Sequence, residues 1–405
     1  MRFDFYEIIE NIKYNPNSVK NKITAKTDVY LAKVSYRYKY FKQLLCLLLL
    51  ILLLSFVLNG NLSYEKYYFL AKDMKLASDF VTSSHDTVTY NVGDSQSFAL
   101  YRGGIAVASR ERISILSASG RELYSQSHEY SNPSLISSDR FLLLYDVGGR
   151  KLSVFNSFSE LKKQTFEYPL LGASISDSGD FAVITRNDKY DSVVSVFTQN
   201  GARYDYYFAT GRAVGVSLSE NGTKMAVALA YADNTEMNGE VRVYKVGSKD
   251  YNYAKLTFAG IPYSLKMYDN GNVCALGSKG VNTFSEDMNM LGEYLTDRDI
   301  FVHSFADDGI ALAHLSDNHA KTDVLLLDKR GKISYRDEFS NGVTGVATCD
   351  GYVYLQTLSG FERVNTFFHL SEKIELSASN FKMLCVDSKT IVACADAYAR
   401  FLNFD

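Results

Sequence analysis

The feature that most constrains this chain is a self-similarity that recurs roughly every 40 residues from Phe98 to the C-terminus. Each unit reads as a short apolar strand, a turn rich in Asp, Asn, Ser or Gly, a second apolar strand, a longer loop, a third strand, and a turn into a polar fourth strand. The units Ala173–Arg203 and Val216–Val246 align almost strand for strand, and others begin at Phe98, Leu135, Leu265, Phe301, Val346 and Asn380. A single unit cannot bury its own apolar faces, so the copies must stack on one another. The second strands, such as Phe141–Tyr145, Phe181–Thr185 and Met225–Leu229, are apolar nearly throughout and do not alternate. Such a strand is buried on both sides. Inner strands held between neighbouring blades satisfy that requirement. The predicted fold class is therefore all-β, a β-propeller of eight four-stranded blades, or seven if the weak unit Leu265–Met290 makes no sheet of its own.

Turn chemistry follows the same period. Pro133, Pro169 and Pro262 fall where one unit passes to the next, so no ladder hydrogen bond is lost there. Ser178-Gly179, Asn221-Gly222, Asn270-Gly271 and Asp308-Gly309 mark turns between first and second strands, while Gly120, Gly201 and Gly331 mark turns from third to fourth. The last unit, Asn380–Asp405, has room for three strands only. The stretch Asp86–Val92, ahead of the first unit, is expected to supply the missing outer strand, closing the ring and removing two exposed sheet edges.

Upstream, Gln43–Tyr64 holds no charged residue. A helix rising ~1.5 Å per residue needs roughly 20 apolar residues to cross ~30 Å of hydrocarbon, and Phe41–Leu58 meets that requirement if Lys42 snorkels. The expected anchor residues are Leu44, Leu45, Leu47, Leu48, Leu49, Leu50, Ile51, Leu52, Leu53, Leu54, Phe56, Val57 and Leu58. The charged leader is too long for a signal-peptide n-region, and no small-x-small site follows, so the span is expected to stay uncleaved. Gln43, Leu44 and Leu45 before Cys46 lack the small residues of a lipoprotein signal. Lys22, Lys26, Lys33, Arg37, Lys39 and Lys42 precede the span against Asp28 alone, which keeps the N-terminus cytoplasmic. The expected layout is a cytoplasmic basic leader (1–40), a transmembrane helix (41–60), a stalk (61–80) and an extracytoplasmic propeller (81–405), a single-pass protein of the cell membrane.

With this anchor and these repeats the chain resembles bacterial membrane-anchored β-propeller proteins with WD40-like or quinoprotein-like repeats, and in particular the uncharacterised DUF5711 family. The resemblance spans the anchor and Phe98–Asp405. It implies a propeller and implies no activity, because propellers host enzymes and scaffolds alike.

The residues themselves offer little chemistry. The chain has no tryptophan, which argues against quinone-docking blades and Trp-Asp repeats, and its net charge of −3 points to no nucleic acid. Cys274, Cys349, Cys385 and Cys394 lack zinc spacing; Cys274, Cys385 and Cys394 sit in apolar strands and read as small hydrophobes, although Cys385 and Cys394 lie on neighbouring strands where an oxidising compartment would allow a bond. His314, Asp317 and His319 are the nearest approach to a metal cluster, but with no further ligand at a defensible spacing the histidines read as exposed loop residues. Asp307-Asp308 and Glu286-Asp287 read as solvated turn acids. No phosphate loop, nucleophile elbow or zinc-protease helix occurs, so no catalytic, cofactor or metal residue is expected. Of the 30 tyrosines, Tyr204, Tyr206, Tyr251 and Tyr253 lie on predicted fourth strands and form the candidate contact surface, with blade-edge cover as the plainer role. The longest loop, Tyr231–Glu240, is a candidate contact loop. The expected function is a non-catalytic, membrane-anchored scaffold whose partner is a protein or an envelope polymer. A glycan-acting hydrolase or lyase at the central channel, or a sensor signalling through the span, are the alternatives.

Overall fold

A computed structural model of the chain describes residues 40–51, 87–233, 236–258, 260–317, 321–340, 342–376 and 381–404. The chain divides into two compact units, Met1–Tyr64 and Glu65–Asp405. In the first, residues 40–51 are helical and all of them are exposed. Leu44, Leu45, Leu47, Leu48, Leu49, Leu50 and Ile51 lie on this helix, whereas Leu52, Leu53, Leu54, Phe56, Val57 and Leu58 fall outside the described residues. Among the described residues no helix is long and apolar enough to cross a membrane.

In the second unit the described residues form thirty-two strands, β1–β32, in eight four-stranded antiparallel sheets. Blades 1 to 7 are consecutive meanders, and the Leu265–Met290 unit does form its own sheet as blade 5. The eighth blade is β30 (Lys382–Cys385), β31 (Thr390–Cys394) and β32 (Tyr398–Asn403), completed by β1 (Thr87–Thr89). Thr87 pairs with Arg400 and Thr89 with Tyr398, so the chain's beginning closes the ring as its sequence requires. The molecule is an eight-bladed β-propeller.

Eight apolar clusters hold the ring together, each lying between two adjacent sheets. On β7 (Leu142–Asp146) of blade 2, Leu142 and Leu144 pack against blade 1 while Leu143 and Tyr145 pack against blade 3. Side chains on a strand alternate sides, so one apolar run serves two interfaces. The closing cluster joins Val88 to Phe98, Ile105, Leu116, Val392 and Phe401.

The meander gives the ring two unlike faces. One carries the turns from first to second and third to fourth strands; we term it the turn face. The other, the link face, carries the second-to-third turns and the blade-to-blade links. Because Thr89 pairs with the first residue of β32, at its link-face end, β1 begins at Thr87 on the side of the turn face.

Val88 is 1% exposed, whereas Thr87 and Thr89 are exposed. Val88→Ala should therefore destabilise the protein by about 2 kcal/mol, against less than about 0.5 kcal/mol for Thr87→Ala, read as shifts of the urea unfolding midpoint. Equal effects would show that β1 does not close the ring.

Candidate functional site

The link-face mouth of the channel is shaped by a repeated irregularity. In five consecutive blades the first strand carries a register shift within its first three residues: β10 (Leu170–Ile175), β14 (Arg212–Leu218), β18 (Pro262–Met267), β22 (Ile300–Phe305) and β26 (Val343–Cys349). The unpaired residues are Leu171, Val214, Tyr263, Phe301 and Thr344. A bulge turns its extra residue out of the ladder and re-aims the side chain. Here it lifts Leu171, Tyr263 and Phe301 to 44%, 41% and 48% exposure, although each belongs to a strand beside the channel. Around them on the same face stand the exposed side chains of Ile261, Leu295, Leu315 and Leu358. Behind them, His303 lies between the rings of Tyr263 and Phe305, and burial lowers its pKa, which leaves a neutral imidazole in an apolar wall. Three bulged residues are followed directly by glycine, at 172, 215 and 345, and a Cβ on Gly215 would come within 3.3 Å of Leu265 in the next blade. That Gly after the second apolar residue was the sequence signal for the bulge.

The expected contact loop Tyr231–Glu240 is corrected to a hairpin. β15 (Lys224–Asp233) and β16 (Glu236–Lys245) stay paired out to Asp233 and Glu236, past the last rung with β14 at Ala230 and with β17 (Tyr251–Lys255) at Glu240. A paired finger, with Met237 43% exposed, thus rises from the link face beside the mouth. Strand pairing satisfies the backbone groups that an open loop would leave to water.

The turn-face mouth has the opposite character. Asp139, Asp177, Glu220, Asp269 and Asp307 occupy the first-to-second turns of blades 2 to 6. Burial, then the charges of Asp177, Asp269, Asp307 and Asp139, raises the pKa of the exposed Glu220. The other acids are partnered: Asp177 Oδ1 accepts from the Asp139 N–H at 2.8 Å, Lys329 donates to Asp269 at 2.6 Å, and Lys266 to Asp307 at 3.0 Å. Among the described residues no group of three or more His, Cys, Asp or Glu is placed to hold a metal.

A family model described as a family of unknown function (DUF5711) matches residues 79–396. The chain belongs to the DUF5711 family. No curated protein matches it in sequence. Among solved structures it is similar to Sqt1 from Chaetomium thermophilum bound to the N-terminus of the ribosomal protein L10, with TM-score 0.54 and 12% identity over 78% of this chain and 99% of that one. It is also similar to BamB from Moraxella catarrhalis, with TM-score 0.52 and 13% identity over 80% and 98%, and to apo AztD from Citrobacter koseri, with TM-score 0.51 and 11% identity over 71% and 88%. At these identities the likeness is one of fold.

The tyrosines of this DUF5711 propeller divide by position. Tyr204, Tyr251 and Tyr253 are exposed at the rim, but Tyr206 is only 6% exposed. On β13 (Arg203–Phe208), Tyr206 turns inward with Phe208, packs on Tyr244 of the next blade at 4.9 Å, and its hydroxyl accepts from the Gly247 N–H at 2.9 Å. It belongs to an interblade core and offers no contact surface.

His314 is not an exposed loop residue. The strand β23 (Gly309–Leu315) runs two residues further than its sequence suggests, placing His314 opposite Asp323 at 4% exposure. Its Nδ1 donates to the Leu315 carbonyl at 2.8 Å, so Nε2 accepts from the Tyr294 hydroxyl, while Arg336 holds Asp323 at 2.6 Å. This chain ties blade 5 to blade 6. His319 lies outside the described residues. The described cysteines are all free, and Cys394 sits opposite Lys382 while Cys385 sits opposite Ile391, at the two ends of one short ladder. Burial pushes Cys274 and Cys394 up to about 12, the state of unreactive core thiols.

A raised carboxyl pKa means the folded state binds the Glu220 proton more tightly than the unfolded chain, so stability falls as pH rises above the usual value of 4.5. Glu220→Gln should raise the unfolding temperature at neutral pH and leave it unchanged at pH below that value. A variant indistinguishable from the parent across the pH range would contradict the convergence of charge on Glu220.

Proposed function

We propose that this protein is a single-pass, N-in membrane protein whose exported propeller is a non-catalytic scaffold, gripping an apolar segment of a partner protein at the link-face mouth. The observation that carries this reading is the set of bulged residues Leu171, Tyr263 and Phe301, exposed around one mouth and flanked by Leu315 and Leu358. Exposed apolar side chains gathered on one face mark interaction sites, and bulky anchors are what a protein hot spot requires. An envelope polysaccharide would ask instead for polar groups in line with its hydroxyls, and this mouth presents Leu, Ile and Phe. Sqt1, which is similar in fold, is bound to the N-terminus of the ribosomal protein L10, so a protein of this fold can hold a chain segment.

Anchoring is supported by the apolar helical stretch 40–51, exposed along its whole length, and by the uncharged sequence that continues it to Tyr64. Orientation rests on the six basic residues before the span. Resistance of the full chain to alkaline carbonate extraction, and cleavage of residues 81–405 by protease added to intact spheroplasts, are the expected results. A protected propeller would reverse the address.

The glycan-acting hydrolase is favoured by one observation, the raised pKa of Glu220 among four other acids. Against it, Asp177, Asp269 and Asp307 already accept hydrogen bonds from the fold.

A photocrosslinker placed at Phe301 should capture the same protein as one at Leu171, and one at Leu161 on the turn face should not. Truncating a central aromatic anchor costs about 2 kcal/mol or more. Tyr263→Ser should therefore cut capture from position 301 about 30-fold. Capture that is unchanged by Tyr263→Ser, or equal from Leu161, would defeat the reading.

A further inference from the structure

The most exposed apolar cluster in the described residues lies elsewhere, on the turn face. It is the third-to-fourth turn of blade 7, between β28 (Gly360–Asn365) and β29 (Ser371–Glu375), where Phe367, Phe368 and Leu370 are 82%, 65% and 69% exposed. This turn is built to hold them outward. Asn365 Oδ1 accepts from the Phe367 and Phe368 N–H groups, both at 3.0 Å, and the Thr366 hydroxyl donates to the Gly351 carbonyl at 2.6 Å. His369, at a positive φ of 53°, lays its ring 5.3 Å from Tyr335 in blade 6 and its Nδ1 3.9 Å from Asp337. The backbone is clamped at both ends, and its apolar side chains project from a convex tip.

Its neighbours along the rim are informative. On one side is the corresponding turn of blade 6, Lys329–Lys332, where Arg330 and Lys332 are exposed. On the other, blade 8 has no such turn, because its fourth strand is β1, whose first residue, Thr87, lies toward this same face. A cationic turn and a diphenylalanine tip thus occupy successive blades beside the start of β1.

We propose that the Phe367–Phe368–Leu370 tip is a membrane-contact wedge, its rings seated at the headgroup–acyl boundary while Arg330 and Lys332 meet anionic headgroups. The inference rests on the anchored reading given above. Rings and a leucine beside cations are the composition of interfacial segments. A convex tip of three side chains suits a soft bilayer surface better than a protein hot spot, which needs a pocket around it. The carboxylates of the central turn-face mouth are repelled by anionic lipid, so the ring meets the bilayer on its blade 6–7 edge and does not lie flat.

The protein's lack of tryptophan provides the test. Full-length Phe368→Trp, with Phe367→Trp as a second reporter should the first misfold, is reconstituted into phosphatidylcholine/phosphatidylglycerol vesicles with and without acyl chains brominated near the headgroup. Leu358→Trp, at 70% exposure on the link face, is the control. The tip reporter should emit to the blue of the control and lose about half its intensity or more to the bromines, since interfacial side chains sit ~5–10 Å deep. Replacing Arg330 and Lys332 with Ser should weaken that quenching when phosphatidylglycerol is present. Vesicle flotation separates the two failures. A full chain that does not float overturns the anchored reading and this contact with it. A chain that floats while its tip reporter stays as red and unquenched as the control overturns the wedge alone and assigns the tip to a protein partner.

Discussion

The structure depends on the way each second strand is shared between two interfaces. Successive side chains point to opposite sides of a sheet, and in a radial stack both sides are another sheet. Leu142 and Leu144 fill the gap to blade 1, and Leu143 and Tyr145 fill the gap to blade 3. No blade owns a core. Stability therefore accumulates between neighbours, and an open stack would leave two uncovered apolar faces. The ring resolves this only if its last sheet is complete, which makes the three residues of β1 more important than their number suggests. Val88 delivers one side chain to the cluster that joins blade 8 to blade 1, and the strand covers the edge of β32.

Closure by β1 also gives the molecule a direction. The strand β1 begins on the side of the turn face, and the two faces differ in chemistry. Turns there are short and acidic around the channel, because tight first-to-second turns favour Asp, Asn and Gly. The link face carries the bulges, the β15–β16 finger and the apolar mouth. A bulge costs a ladder hydrogen bond and is retained where it re-aims a side chain. Its recurrence in five consecutive blades makes the mouth a property of the repeat and not of one loop. The apolar mouth and the start of β1 consequently lie toward opposite faces of the ring.

Aromatic residues play three distinct parts in this protein. Tyr206 and Tyr244 cement blade 3 to blade 4, with Arg242 over the rings of Phe208 and Tyr251. Tyr263 and Phe301 line the link-face mouth. Phe367 and Phe368 stand alone on a rigid turn. The composition is the same in each case, and only the neighbouring sheet decides whether a ring is covered.

Much of the fold was legible in the sequence. Blade number, turn positions and the completion of blade 8 by residues near Thr87 followed from period, turn chemistry and the absence of a fourth strand after Asn403. Those properties are local, since backbone sterics and the burial of both faces of an apolar strand act on consecutive residues. Other features were not local. The burial of His314 came from a strand running on to Leu315, and the burial of Tyr206 from the presence of Tyr244 one blade away. The hairpin at Tyr231–Glu240 needed cross-strand pairing to be recognised. The shared position of Leu171, Tyr263 and Phe301 required the ring itself, which brings together residues far apart in sequence. The sequence by itself determined that this chain makes eight similar sheets and closes them with its own beginning, because hydrophobic period and turn residues act within a unit. Only the tertiary structure decided which side chains converge on each face, because convergence depends on how neighbouring units are set around a common axis.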